Sequence, residues 1–383
     1  MKKSPINKNV ILLGIVSFLT DVSSEMIFSV FSIFFTVILG ASTVLLGLVE
    51  GLADFASSSL DYIAGLLSDR TGKRKRFAML GYGFSTAAKA ILIFANSPFV
   101  ASLFRVTERL GKSFRGPPRD AWISSLSTKS NRGFSFGVHK ALDKAGAVAG
   151  PLIAYFILAW LGQSMGTFKI LFIVAFFPAV LSVIFLSAIK EKPAEPKKVK
   201  VIGSLKETSR QFKNYLASAG IFSIAYFSFG FLLLKAYSVG FQIKDVVLLY
   251  ALFNLAFVIV SPLMGKLGDY IGRRKIIASE YVIYGLMCLG FIFAFTKLQV
   301  IGLFVMYGIF FAIDEGQSKA YISDCEREKR GTAMGVYNFI TGLIYLPASI
   351  IAGVLWKISP NYSFMFAGVI SLAALVYFVV RKK

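Results

Sequence analysis

Apolar stretches of about twenty residues recur along the whole chain, each long enough to cross a bilayer as a helix. The runs are continuous, whereas a membrane β-strand would alternate apolar and polar residues over about ten positions. In hydrocarbon every backbone N–H and C=O needs a partner inside the protein, and a helix supplies it within the segment itself. Composition agrees. Hydrophobic residues make up 56% of the chain and mean hydropathy is +0.69, which leaves too little polar surface to clothe a soluble protein of 383 residues. The sequence therefore specifies an all-α polytopic membrane protein whose solvent is the lipid bilayer.

Twelve spans can be marked: 10–39, 43–68, 76–96, 98–122, 133–161 and 167–189, then 214–240, 243–269, 275–296, 298–322, 331–357 and 361–381. Residues 1–189 are expected to form an N-terminal six-helix half and residues 214–383 a C-terminal one. The segment 190–213 between them is rich in Lys, Glu and Pro and reads as a cytoplasmic linker, with a surface helix expected around Leu205–Phe212. The basic start superficially suits a signal peptide. The apolar stretch after Asn9, however, runs towards Leu39, contains Asp21 and Glu25 and offers no small-residue cleavage site, so it reads as a retained first span. Cys288 and Cys325 form no disulfide or metal pattern, and stability must come from packing.

The net charge of +22 is sorted by position. Lys2, Lys3 and Lys8 precede the first span; Arg70, Lys73, Arg74, Lys75 and Arg76 follow the second; Lys129 and Arg132 follow the fourth. The linker carries Lys190, Lys192, Lys197, Lys198, Lys200, Lys206, Arg210 and Lys213, and later clusters follow the eighth, tenth and last spans. The alternate loops offer little beyond Lys169, Lys244, Lys297 and Lys357. That asymmetry places both termini and the linker in the cytoplasm and is no nucleic-acid signature. The same basic loops are attracted to anionic headgroups.

A thirteen-residue cassette occurs twice. Gly65-Leu66-Leu67-Ser68-Asp69-Arg70-Thr71-Gly72-Lys73-Arg74-Lys75-Arg76-Phe77 is repeated, 200 positions on, as Gly265-Lys266-Leu267-Gly268-Asp269-Tyr270-Ile271-Gly272-Arg273-Arg274-Lys275-Ile276-Ile277, and each copy runs on into the next span. Asp120-Ala121-Trp122-Ile123-Ser124 resembles Lys319-Ala320-Tyr321-Ile322-Ser323, and Arg132-Gly133 with Gly137-Val138 resembles Arg330-Gly331 with Gly335-Val336. A near-constant offset over three landmarks, with six spans per half, makes the repeats parallel. The doubled cassette after the second and eighth spans resembles the signature motif of the major facilitator superfamily. The stretches Phe18–Met26 and Gly116–Ala121 resemble a group of archaeal and bacterial members of it. The resemblance covers essentially the whole chain and implies a monomeric carrier whose pseudo-symmetric halves rock about a central site by alternating access.

Ionisable groups inside spans are costly, so each is a functional candidate. The first span carries Asp21 and Glu25 one turn apart, and the second carries Glu50, Asp54 and Asp61 on one face. The fourth carries Arg105, Glu108, Arg109, Lys112 and Arg115 along one stripe; the fifth carries His139, Lys140, Asp143 and Lys144; the tenth carries Asp314, Glu315 and Lys319; Lys89 and Lys235 stand alone. The plain alternative is that acids and bases neutralise one another and lock the first half, most of all Glu108, Lys140 and Lys144. Asp21, Glu25 and Asp54 fall near mid-membrane, where desolvation opposes ionisation and a neighbouring guanidinium favours it, a balance suited to taking up and releasing a proton. Arg105, Arg109 and Lys112 are the candidates to hold an anionic group, since guanidinium matches carboxylate or phosphate in a bidentate fork.

The resemblance assigns Gly65, Asp69, Arg70, Gly72 and Arg74, with Gly265, Asp269, Gly272 and Arg273, to a cytoplasmic gate. There the aspartate would latch onto a facing helix N-terminus and a neighbouring Arg, for which Arg115 and the region of Gly331 are candidates. Tyr270, in place of Arg70, makes the second latch the weaker one. Without that role the cassette is a turn with topology-setting charge. Gly146, Gly150 and Pro151 in the fifth span resemble a motif frequent in exporters and permit close helix packing. His139 and Asp143 have no accompanying nucleophile, metal cluster or phosphate loop, so they read as a structural or proton-path pair and the chain as no enzyme. No cofactor or metal is expected. The partners are protons and a small-molecule substrate. Proton-driven export of an organic solute is the first reading, organic-anion uptake the second, and a non-transporting receptor or scaffold the third.

Overall fold

The computed structural model describes residues 6–128, 131–191, 208–326 and 330–381. They form thirteen α-helices, and no strand occurs among the described residues. In order these are α1 (Lys8–Ile33), which continues as a π-helical turn over Phe34–Ile38, α2 (Thr43–Thr71), α3 (Arg74–Ile93), α4 (Pro98–Leu126), α5 (Arg132–Leu161) and α6 (Met165–Ala188). Then come α7 (Arg210–Ala225), α8 (Gly230–Ser238), α9 (Ile243–Ile271), α10 (Arg273–Ile292), α11 (Lys297–Cys325), α12 (Arg330–Ile358) and α13 (Pro360–Val380). Hydroxyl side chains start many of them: Ser97, Ser164, Ser209, Thr296 and Ser359 each accept from an N–H of the first turn. Thr296 and Gln299 form a capping box at the start of α11.

The repeat is visible in the helix boundaries. α2 and α9 each have 29 residues and start 200 positions apart. α3 and α10 each have 20 residues, α4 and α11 each have 29, and both pairs are offset by 199 positions. Among the described residues ten segments are long and apolar enough to cross a membrane by composition, α7 and α8 counting as one. α3 and α4 fall short because of the charges they carry, and with them the total is the twelve spans expected.

Two departures from the sequence reading concern the seventh span. It is not continuous over 214–240: the helix stops at Ala225 and resumes at Gly230. Tyr226 is extended (φ −80°, ψ 120°), a conformation no helix tolerates. Backbone groups freed by the break find partners, as they must in hydrocarbon. Tyr284 donates its hydroxyl to the Ala225 carbonyl at 2.8 Å, and Ser228 Oγ accepts from Gly230 N at 3.2 Å. The surface helix expected around Leu205–Phe212 is replaced, over its described part, by the start of α7 at Arg210; residues 205–207 lie outside the described residues.

The chain forms two compact units. The first comprises residues 1–40, 56–201 and 243–251. In it α1 packs along α5, α3 along α4, and α6 against both α1 and α3. Gly146 and Gly150 let the α1 backbone approach: a Cβ there would lie 2.5 Å from the carbonyl oxygens of Phe18 and Val22 respectively. The second unit comprises residues 41–55, 202–242 and 252–383. There α10 packs on α11 and α13, and α7 on α12 and α13. Its core is a cluster of stacked and edge-on rings: Phe222 lies 4.7 Å from Tyr281 and 5.1 Å from Tyr284, and Tyr284 lies 4.8 Å from Phe310, centroid to centroid.

Candidate functional site

The first unit holds a buried ionic network on α4. Glu108 is fully buried, with Arg105 at 4.0 Å one turn before it and Arg115 at 3.9 Å two turns after. Lys89 of α3, also fully buried, donates to Ser24 Oγ at 3.1 Å and Ser85 Oγ at 3.0 Å. Both hydroxyls in turn donate to Glu108 Oε1, at 3.5 and 3.4 Å. Two serines thus bridge an ammonium and a carboxylate that do not touch. The guanidinium of Arg105 also lies over the Phe28 ring at 4.4 Å, that of Arg109 over the same ring at 5.8 Å, and that of Arg115 over Tyr82 at 5.1 Å.

Asp21, Glu25 and Phe28 occupy one half-buried face of α1. Tyr250, at the start of α9, donates its hydroxyl to Glu25. Lys112 is exposed and lies within electrostatic reach of Asp21, Glu25 and Arg109. Asp21 Cβ would be 3.1 Å from a Cβ on Gly146, so close α1–α5 packing sets the position of this acid. His139 and Asp143 lie in a second network one layer away. His139 Nε2 is 2.9 Å from Ser17 Oγ, which also faces Tyr82 OH at 3.3 Å and accepts from Arg119 at 3.0 Å. Asp143 has Arg119 at 3.8 Å and Lys140 at 3.6 Å. Arg119, placed by α4 after Pro117 and Pro118, was absent from the candidates read from sequence; its position in the stretch Gly116–Ala121 was the available signal.

Both cassettes end a helix at a left-handed glycine. Gly72 (φ +68°) follows α2 and Gly272 (φ +97°) follows α9; each donates its N–H four residues back, to Ser68 O and Gly268 O. Arg70 sits in the last turn of α2, favourable for the helix dipole, and Arg74 opens α3. Gly65 faces Pro117, whereas Gly265 has open space around it. In the second cassette Arg273 joins Asp269 at 2.8 Å to Asp324, at the end of α11, at 2.6 Å. Tyr270 points outward, 89% exposed. Among the described residues no ion pair joins Asp69 to Arg115, which is engaged by Glu108 and Tyr82.

In the second unit Asp314 is half-buried on α11, and Asp54 is half-buried on the portion of α2 that belongs here, beside a buried Glu50. Tyr345 lies in the field of both aspartates. Glu280 of α10 is 2% exposed, and its Oε2 has no hydrogen-bond partner among the described residues. Asp314 is the ionisable neighbour it feels, and Tyr215, Tyr281, Tyr337 and Tyr345 lie within its field. Sequence reasoning passed over Glu280, although a lone carboxylate inside an apolar span was the signal that could have found it. Tyr226, at the helix break, stands among Tyr284, Tyr307, Phe310 and Tyr345, with Tyr345 at 5.1 Å between centroids. Extended backbone, rings and acids thus converge within the second unit.

The sequence model of the Major Facilitator Superfamily matches residues 13–313 and 216–383. The chain is 36% identical over 375 residues to the uncharacterised MFS-type transporter MJ1317 of Methanocaldococcus jannaschii, covering 96% of this chain and 93% of that protein. It is 25% identical over 354 residues to Multidrug resistance protein 2 of Bacillus subtilis, covering 87% and 85%. Among solved structures, the nucleoside transporter NupG in a mutant form superposes with a TM-score of 0.81 at 11% identity, over 98% of this chain and all of that one, which speaks for the fold alone. Doubled cassette, twelve spans, repeat register and family match agree: the chain belongs to the major facilitator superfamily and is a membrane transporter.

Proposed function

We propose that the protein is a secondary active carrier that exports a small organic solute in exchange for protons, by alternating access between the halves 1–189 and 214–383, with the linker 190–213 and both termini in the cytoplasm. The observation that carries this reading is the acidic face of α1. Asp21 and Glu25 are half-buried one turn apart, with Lys112 in electrostatic reach and a Tyr250 hydroxyl on Glu25. A carboxylate in that setting can exchange its proton for contact with a cation, which is the coupling an antiporter needs. Asp54 and Asp314 offer the same chemistry in the second unit. The names of multidrug resistance relatives support export and a broad cargo.

Uptake of an organic anion is the second reading, supported by Arg105, Arg109 and Lys112. Arg105 is tied to Glu108 and lies over the Phe28 ring, and Arg109 and Lys112 follow it on the same stripe of α4.

The test uses purified protein in liposomes under an imposed pH gradient, with fluorescent lipophilic cations and organic anions as probes. Export of a cation probe that Asp21→Asn, Glu25→Gln or Asp54→Asn uncouples from the gradient supports the first reading. If all three variants still concentrate the probe, proton coupling through these acids is wrong. Anion uptake lost in Arg109→Gln would favour the second.

A further inference from the structure

We propose that the groove between α3 and α6, where α3 begins and α6 ends, is a binding site for an anionic phospholipid. The groove has a volume of about 850 Å³ and is lined by Lys75, Arg76, Met79, Leu80, Lys190 and Glu191. It lies wholly within the first unit and shares no residue with the transport candidates.

Its charge suits an anion. Three cations face one carboxylate, that of Glu191. Lys75 is fixed in place: its ammonium donates to the carbonyl oxygens of Ser187 and Ile189, both at 2.7 Å, capping the end of α6. The Arg76 and Lys190 side chains are exposed beside it, and no hydrogen bond holds either among the described residues. The first turn of α3 adds the positive end of a 20-residue helix whose N-cap residue, Lys73, supplies no side-chain cap.

Its walls suit a lipid more than a soluble anion. Arg76, Leu80 and Phe84 follow one another at four-residue steps on one face of α3, each step descending about 6 Å along the helix. The first is a cation at the helix end, and the next two are exposed apolar side chains. On α6, Leu181, Ile184 and Phe185 are likewise exposed. A phosphodiester held at the rim would therefore hang its acyl chains over an apolar surface, with basic groups at headgroup depth and apolar ones below.

The second repeat disposes of its corresponding cation differently. Arg274, at the start of α10, turns its guanidinium onto the Phe378 ring at 4.5 Å and donates to the carbonyl oxygens of Phe378 and Arg381. The same capping device is present there, but its cation is folded down over an aromatic ring.

The experiment titrates the delipidated full-length protein in neutral detergent with phosphatidylglycerol or phosphatidylcholine. Apparent melting temperature and lipid adducts by native mass spectrometry are the readouts. Phosphatidylglycerol is expected to raise the melting temperature and persist as a one-to-one adduct, and phosphatidylcholine to do neither. The double variant Arg76→Gln, Lys190→Gln should weaken retention about tenfold or more, whereas Lys266→Gln, Lys275→Gln, which removes the same charge elsewhere, should not. Equal retention of both lipids overturns the proposal, as does undiminished retention by the groove variant. A shift produced by inorganic phosphate alone would show a soluble-anion site instead and overturn it equally.

Discussion

Offsetting α3 and α4 by 199 positions lays them on α10 and α11. Tyr82 then falls on Tyr281, Lys89 on Cys288, Glu108 on Tyr307 and Arg115 on Asp314. The hydroxyl contact of Ser17 with Tyr82 at 3.3 Å has its counterpart in Ser218 with Tyr281 at 3.2 Å. Around this shared frame the interiors differ in kind. The first repeat buries a lysine and a glutamate joined through two serines; the second buries a thiol and a phenol within a cluster of rings. Where the first has a guanidinium the second has a carboxylate, and Glu280 stands at the register of Gly81. Helix geometry is therefore compatible with either filling. An ionic interior holds only while every partner is present, because a buried charge without one is costly. An aromatic interior has no such condition and can leave a single acid without a basic neighbour.

The sharpest way to break this comparison is to remove one ion. Glu108→Gln leaves Lys89, Arg105 and Arg115 without their carboxylate, at an expected cost of about 3–5 kcal/mol, read as a fall in melting temperature in detergent. The double variant Lys89→Cys, Glu108→Tyr installs the residues of the second repeat and should recover part of that loss; if it does no better than Glu108→Gln, the frames are not interchangeable. Gly150→Val forces a side chain against the Val22 carbonyl and should cost about 1–3 kcal/mol, seen in the same assay. Tyr284→Phe, which removes the donor to Ala225 O at the helix break, should cost about 1 kcal/mol. Glu280→Gln has no paired cation to strand and should stay within about 1 kcal/mol of the parent protein. A loss there as large as for Glu108→Gln would reveal a charged partner and end the contrast.

Much of the frame was legible in the chain because it depends on local rules. Twelve apolar runs gave twelve spans, and the repeated Gly72 and Gly272 marked the two left-handed turns. Gly146 and Gly150 announced the close approach of α5 to a neighbour, though not that the neighbour is α1. What was not legible is tertiary. Apolar periodicity is unbroken through Tyr226–Phe229, so nothing in hydropathy marks the interruption; it exists because Tyr284 and Ser228 replace the lost helical bonds. Lys89 was visible as a buried charge, but that Ser24 and Ser85 carry its link to Glu108 depends on three helices meeting. Arg119 was read as part of a motif rather than as the group that faces Ser17 and Asp143.

The interruption after Ala225 turns a long span into two rods with a joint of four residues. The second rod, nine residues in Gly230–Ser238, is about 13 Å long. Changes in φ and ψ at Tyr226 and Phe227 can swing it while the bonds from Phe231, Leu232 and Leu233 N–H to the Ser228 and Phe229 carbonyls stay in place, and a tilt of about 10° carries its tip about 2 Å. Because Tyr226 belongs to the joint, the same tilt reorients its ring among Tyr307, Phe310 and Tyr345. Lever and aromatic wall are one piece of backbone here, so whatever presses on the rings also steers the far end of the span.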